Sequence, residues 1–458
     1  MKHTDSFIEG PILSPLLRFT IPVLLALFLQ AMYGAVDLMV VGQFGQPADV
    51  SAVSTGSQVM QTVTSVITGL SMGATVLLGQ RLGKGRSDEA GQVLGSAIAL
   101  FAAVALLLTG IMTAAASPMA RIMQAPAEAF GQTVVYVRIC SGGAVFIVAY
   151  NVLGAMFRGI GDSRTPLLTV AIACAVNIAG DLLLVAGFRM GVAGAAVATV
   201  LAQAISVALS LLFTARRGLP FAFSPSFIRF HPRFTGRILR LGTPVALQDA
   251  LVSISFLAIA AIVNRLGVIA SAGVGVAEKL CGFIMLVPSA YMQSLSAFVA
   301  QNIGADRRDR AKKAMFYGMG TSLCCGIVLA WMSFFHGDLL ASLFARDDQV
   351  IGAAADYLRA YAIDTLLTSI MFCFAGYFNG CGNTAFVMVQ GIIGAFCVRI
   401  PVSLLMSRLE PVSLFRVGLA TPCSTVVQIL LFLGCYAVLA AREKRANRPE
   451  RDDPAALS

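Results

Sequence analysis

Seven ionisable side chains stand inside stretches that are otherwise apolar: Asp37, Asp181, Asp249, Glu278, Lys279, Asp364 and Arg399. A charge at the centre of a membrane-crossing helix costs roughly 2.5–3.5 kcal/mol even on the mildest scales, so each such residue needs a partner or a purpose. Asn177 precedes Asp181 by four, which places both on one face of a helix. Polar oxygens at that spacing, joined by a carboxylate from another helix such as Asp37, can do one of two things. They can bind a hard cation such as Na+, or hold a proton on a desolvated acid. A buried hydrogen-bonded pair is the plainer alternative. Glu278 and Lys279 are neighbours, so they point in different directions on a helix. Asp249 and Asp364 are their candidate partners, and substrate contact and a polar network both stay open. Tyr33, Met60, Tyr150, Met285 and Met292 are soft or aromatic side chains that suit large apolar cations, although most residues of this kind in an oily chain simply pack.

The elements that must position these groups follow from composition. Of 458 residues, 57% are hydrophobic and 12% charged, against about 25% charged in a soluble protein. No polar stretch is long enough for a soluble domain, which excludes most soluble enzymes and nucleic-acid-binding folds despite a net charge of +10. A spanning helix needs ~20 mostly apolar residues. Twelve such runs are legible, at about 16–41, 51–79, 92–116, 131–156, 166–187, 192–215, 238–263, 270–300, 311–335, 350–378, 384–407 and 412–440. The first is too long and begins too late for a cleaved signal peptide. None alternates as a barrel strand would. Ten scattered cysteines read as small buried hydrophobes, and His3, His231 and His336 are too dispersed for a metal site. Gly79 to Gly85 has one residue too few for a phosphate loop and no Ser or Thr after its Gly-Lys. This stretch and Gly159-Ile-Gly161 read as tight loops, which leaves an ion gradient or downhill movement as the energy source.

Placing the N-terminus inside puts 23 of the 33 Lys and Arg residues in inside segments and six in outside loops. That bias predicts both termini on the cytoplasmic side. The chain also repeats itself. Gln80-Arg-Leu-Gly83 matches Gln301-Asn-Ile-Gly304; Tyr136-Val-Arg138 matches Tyr357-Leu-Arg359; Phe157-Arg-Gly159 matches Phe378-Asn-Gly380, all at an offset of 221. Pro22-Val pairs with Pro244-Val at 222. The expected organisation is an N-terminal lobe over 1–215, a basic linker over 216–237, a C-terminal lobe over 238–440 and a tail over 441–458. Six spans per half make the repeats parallel, related by an axis along the membrane normal. The positions matching Asp37, Asn177 and Asp181 are Ile259, Val398 and Val402. The scaffold is duplicated and the acids are not, which argues for a role beyond structure.

Four stretches together resemble the multidrug and toxic compound extrusion (MATE) family, over about 12–440. They are Pro22 to Gly45 with Asp37; Phe157-Arg-Gly-Ile-Gly-Asp-Ser-Arg-Thr-Pro166; Asn177-Ile-Ala-Gly-Asp181 running to Thr199; and Ala300-Gln-Asn-Ile-Gly-Ala305. The resemblance implies an all-α integral membrane protein of twelve transmembrane helices in two six-helix pseudo-symmetric lobes. It implies a cation site at Asp37, Asn177, Asp181 and Thr199, a metal site only if the ion is Na+, and no cofactor beyond Na+ or H+. Asp249, Glu278 and Asp364 lie on the helices where some relatives carry further carboxylates. The implied activity is secondary active export of amphipathic, often cationic small molecules in exchange for an inward ion. The setting is a bacterial cytoplasmic membrane; the chain is expected to be a monomer in the lipid bilayer, with no nucleic-acid partner. The rivals are a lipid-linked oligosaccharide or peptidoglycan-precursor flippase, disfavoured by having only Arg399 and Lys279 as clear intramembrane cations; a membrane-embedded enzyme, for which no catalytic cluster is seen; and a passive channel, which needs no acid cluster.

Overall fold

A computed structural model describes residues 5–446; His3 and the tail beyond Ala446 lie outside the described residues. Among the described residues every regular element is helical, as a bilayer demands of a chain that must satisfy its backbone groups within each segment. The spans are α1 Leu13–Phe44, α2 Pro47–Gly83, α3 Ser87–Ile122, α4 as the bent pair Ala127–Gly142 and Ala144–Ile160, α5 Arg164–Gly187 and α6 Gly191–Arg217. The second half has α7 Pro232–Asn264, α8 Val268–Gly304, α9 Arg308–Phe335, α10 Asp348–Gly380, α11 Thr384–Met406 and α12 Leu414–Glu443. Eleven helices are long and apolar enough to cross a membrane, and the bent pair makes a twelfth.

The repeat is visible in the helix ends. The two ends of α2 and of α8 stand 221 residues apart, as do the starts of α3 and α9. At 37 residues, α2 and α8 are each about 55 Å long, well beyond the ~30 Å hydrocarbon core. They therefore project past the apolar run at the end that carries the basic loops. This corrects the reading of Gly79–Gly83 as a loop: it is the last turn of α2, and only Lys84–Arg86 is non-helical. The linker is likewise shorter than expected. Helix α6 continues to Arg217 and α7 starts at Pro232, with a single turn at Pro225–Phe227 between them.

The halves break in different helices. Helix α4 bends by 55° at Gly143, where an added Cβ would fall 2.5 Å from a methyl of Val200 on α6. Its repeat mate α10 is continuous. In the second half it is α8 that is interrupted, at Met285, while α2 runs through. At the basic end the halves close on each other. The Gln80 side-chain amide on α2 donates to the Gly380 carbonyl on α10 at 3.1 Å, and Gln301 on α8 donates to the Gly159 carbonyl on α4 at 2.9 Å. The two donors, Gln80 and Gln301, are repeat mates, as are the two acceptors, Gly159 and Gly380, so the two bonds form one reciprocal set. The N-terminal segment is clamped there as well. Arg310 donates to the carbonyls of Phe7, Glu9, Gly10 and Pro11, and the buried Phe7 ring packs on Phe19 and Phe298.

Candidate functional site

Asp37 lies two turns before the end of α1, Asp181 near the end of α5 and Thr199 two turns into α6. All three are therefore in the half of the membrane away from the basic loops. Asp37, Asn177 and Asp181 are buried, and Thr199 is partly so. The Thr199 hydroxyl donates to Asp37 Oδ2 at 3.1 Å, and Asp181 and Asn177 face the same carboxylate. The four residues named from the sequence are thus in one place, drawn from three helices.

The polar atoms at this place have few protein partners. Asp37 Oδ1, both carboxylate oxygens of Asp181, and both the oxygen and nitrogen of the Asn177 amide are buried and find no hydrogen-bond partner among the described residues. Neither acid makes a salt bridge among the described residues. Leaving a buried polar group unpaired costs about 1–3 kcal/mol, more when charged, so such a concentration at one point is unusual for a purely structural network. The donor set is all oxygen apart from the amide nitrogen, which fits a hard cation or a proton. Among the described residues there is no group of three or more His, Cys, Asp or Glu that could hold a metal. A π-helical segment, Leu182–Gly187, begins immediately after Asp181; such wide turns are frequent at functional sites.

A small cavity of about 10 Å3 reaches Asn177, lined also by Tyr33, Tyr150, Val170, Ala173, Ala202 and Gln203. That is room for one water-sized species. Tyr150 accepts a hydrogen bond from Gln30 of α1, which ties α1 to α4 beside the cavity. Tyr136 and Cys140 of α4 complete the surroundings, and Tyr136 packs against Gly56, where a Cβ would meet the ring at 2.4 Å. Sequence reasoning passed over Tyr136, Cys140 and Gln203. The available signal was a tyrosine and a cysteine at i and i+4 within a span, in a stretch already singled out by the repeat.

The remaining candidates scatter. Asp249 is half-buried on α7, with no hydrogen bond or salt bridge to its carboxylate among the described residues. Lys279 is exposed and forms no salt bridge among them. Glu278 is half-buried with Oε1 unbonded. Met285 sits at the interruption of α8. Asp364 is buried on α10 and accepts from the Thr425 hydroxyl at 2.6 Å. The Glu278–Lys279 partners expected from sequence therefore do not form as ion pairs.

The description MatE fits this chain twice, over residues 22–183 and 244–405, one copy in each half. The chain belongs to the MatE family. It is accordingly a membrane transporter and not an enzyme. Among curated relatives, the probable multidrug resistance protein YoeA of Bacillus subtilis is 25% identical over 91% of this chain and 92% of its own length. The FAD transporter of Shewanella oneidensis is 25% identical over 95% of this chain and 96% of its own. Solved structures share the fold. A multidrug resistance MATE family transporter in the outward-facing conformation superposes with a TM-score of 0.90 at 20% identity, covering 97% of this chain and 99% of that one. A MATE crystal structure in the bent conformation also scores 0.90, over 98% of this chain and all of that one.

Proposed function

We propose that this MatE transporter is a secondary active multidrug exporter, exchanging inward Na+ or H+ for outward amphipathic, often cationic compounds. The observation that carries the reading is the cluster of unpartnered buried oxygens at Asp37, Asn177 and Asp181 beside the Thr199 hydroxyl. In this reading an ion entering from the side opposite the basic loops binds there and neutralises the two acids. Helix α1, which supplies Asp37, then shifts its packing on α5 and α6. The substrate site between the halves loses affinity, and the compound leaves outward. Coupling requires ion and drug to prefer opposite arrangements of the two halves. The two halves, α1–α6 and α7–α12, would rock about the segment between Arg217 and Pro232, the usual plan for parallel repeats. The basic end is cytoplasmic in this reading, both termini with it, in a bacterial cytoplasmic membrane; the working unit is a monomer. Multidrug resistance and export in the names of the YoeA relative and of a staphylococcal MepA relative support the substrate class.

The test is ethidium efflux from proteoliposomes under a Na+ gradient or a pH gradient imposed separately, with Asp37→Asn alongside. One gradient should drive efflux, and the variant should abolish it. Because one relative is named an FAD transporter, a flavin nucleotide belongs in the substrate panel. If neither gradient moves any cationic dye through well-folded protein, the reading fails.

A further inference from the structure

Two helices do not stay within their own half. The first part of α1 buries Leu16, Phe19 and Val23 in one core with Tyr291, Leu295 and Phe298 of α8, whereas its last part buries Val40 and Val41 in the core of the first half. Helix α7 mirrors this. Its Phe234, Ile238, Leu241 and Val245 lie in the core of the first half, and its Ile259 and Val263 in that of the second. At the basic end, therefore, each half holds the opening turns of the other half's first helix. Between its two buried parts each helix has a stretch in which no residue is buried, 24–36 in α1 and 247–254 in α7.

The contacts between the halves at this end are of two kinds. Where α7 lies on α2 the backbones touch. An added Cβ on Gly242 would stand 2.1 Å from the Leu70 carbonyl oxygen, one on Gly73 2.3 Å from the Ile238 carbonyl oxygen, and one on Gly69 2.7 Å from the Ala246 Cα. The segment before α7 seals the same surface, with Phe227 packed on Gly91 and Gly95 of α3. The start of α1 is held to the second half by the buried Phe7 ring on Phe298, and by Asn302, which donates to the Phe7 carbonyl at 3.0 Å. Parting either contact would return closely packed hydrocarbon to water. The seam between α2 and α8 is different. It is closed by the Gln80 and Gln301 amides, and Gln301 Oε1 is buried there with no partner among the described residues. Hydrogen bonds of this kind exchange for bonds to water at little net cost, so this seam is the one built to open.

We infer that the two bodies that move against one another are not the two halves of the sequence. The basic-end part of α7, with the segment before it, travels with the first half; that of α1, with residues 7–12, travels with the second. The unburied stretches 24–36 and 247–254 are the hinges, the few residues that absorb the change in backbone angles. The inference rests on the rocking reading above and sets where its dividing line runs. Opening then bends α1 and α7 without tearing either apolar contact, and it leaves Asp37, beyond the hinge of α1, with Thr199 in the first half.

Pulsed electron-spin resonance on the full chain in lipid nanodiscs tests this. Nitroxides carried on a keto amino acid, which leaves the ten cysteines in place, replace four exposed residues in pairs: Asp88 of α3, Asp309 of α9, Arg18 of α1 and Arg240 of α7. The distance from Asp88 to Asp309 reports opening at the basic end, which Gly304→Ala, a Na+ series or a pH series should bring about. When it lengthens, the distances from Arg240 to Asp309 and from Arg18 to Asp88 should lengthen with it. Those from Arg240 to Asp88 and from Arg18 to Asp309 should keep their closed values. Lengthening of either of these last two overturns the inference, because that helix then moves away from the body assigned to it. Should labelled Gly304→Ala fail to fold, the native chain across the two ion series decides the question. A distance from Asp88 to Asp309 that stays fixed under every condition is a separate failure: it sinks the rocking reading, and the inference with it.

Discussion

Adding one methyl group where α2 meets α8 separates the closed arrangement from any other. At the basic end an added Cβ on Gly83 would lie 2.0 Å from the Gln301 carbonyl oxygen, and one on Gly304 would lie 2.3 Å from the Gln80 carbonyl oxygen. Both obstacles are backbone, so neither can swing aside as a side-chain tip would. Overpacking of this kind costs about 1–3 kcal/mol. Alanine also favours a helix over glycine by roughly 1 kcal/mol, but that gain is the same in every arrangement and cancels from the population ratio. The clash is felt only when the two ends touch. Gly304→Ala should therefore shift the balance away from closure at the basic end by roughly 5–150-fold. Hydrogen exchange followed by mass spectrometry reads it directly: amides in residues 80–86 and 301–307 should exchange faster by a factor of that order, with the acid cluster near Asp37 unaffected. Efflux should slow in parallel. Unchanged protection in folded Gly304→Ala would refute the claim that this contact defines the closed arrangement.

Three further outcomes follow from single contacts. Thr199→Val removes the hydroxyl that donates to Asp37; a hydrogen bond to a charged group is worth about 1.5–3 kcal/mol and stabilises the ionised, ion-free carboxylate, so with H+ as the ion half-maximal efflux should need about tenfold less of it or lower still. Gly143→Ala drives a methyl into the Val200 side chain at the bend of α4 and should lower the melting temperature through about 1–3 kcal/mol of overpacking; Val200→Ala in the same chain should restore much of it. Arg310→Ala releases four carbonyls of the N-terminal segment, and exchange of amides in residues 7–10 should accelerate while the spans keep their protection.

Several features were legible in the order of residues. The twelve spans follow from runs of apolar residues because hydrocarbon tolerates little else at that length. The internal repeat follows from three motifs at an offset of 221 and a fourth at 222. The acid cluster was legible because a carboxylate in such a run is too costly to be incidental, and because Asn177 and Asp181 share a helix face at i and i+4. What failed was local. Gly79–Gly83 read as a loop because glycine and charge punctuate most sequences, whereas here the glycine permits close approach of another helix and the turn stays helical. The Glu278–Lys279 partners failed because spacing along a helix says nothing about which neighbour lies across from it.

What the chain determined by itself is therefore hydropathy and period: an all-helical membrane protein, duplicated, with acids at Asp37 and Asp181 whose repeat mates, Ile259 and Val402, are apolar. Only the tertiary structure decided which polar groups meet. Tyr136 joins the acids, Gln203 faces the cavity beside Asn177, Asp249 stands apart, and Asp364 is answered by Thr425. The physical reason is that membrane depth and helix face are encoded locally, in composition and in the 3.6-residue turn. Proximity between helices distant in sequence depends on crossings set by glycines, bends and π-helical turns, and those act only once the helices pack.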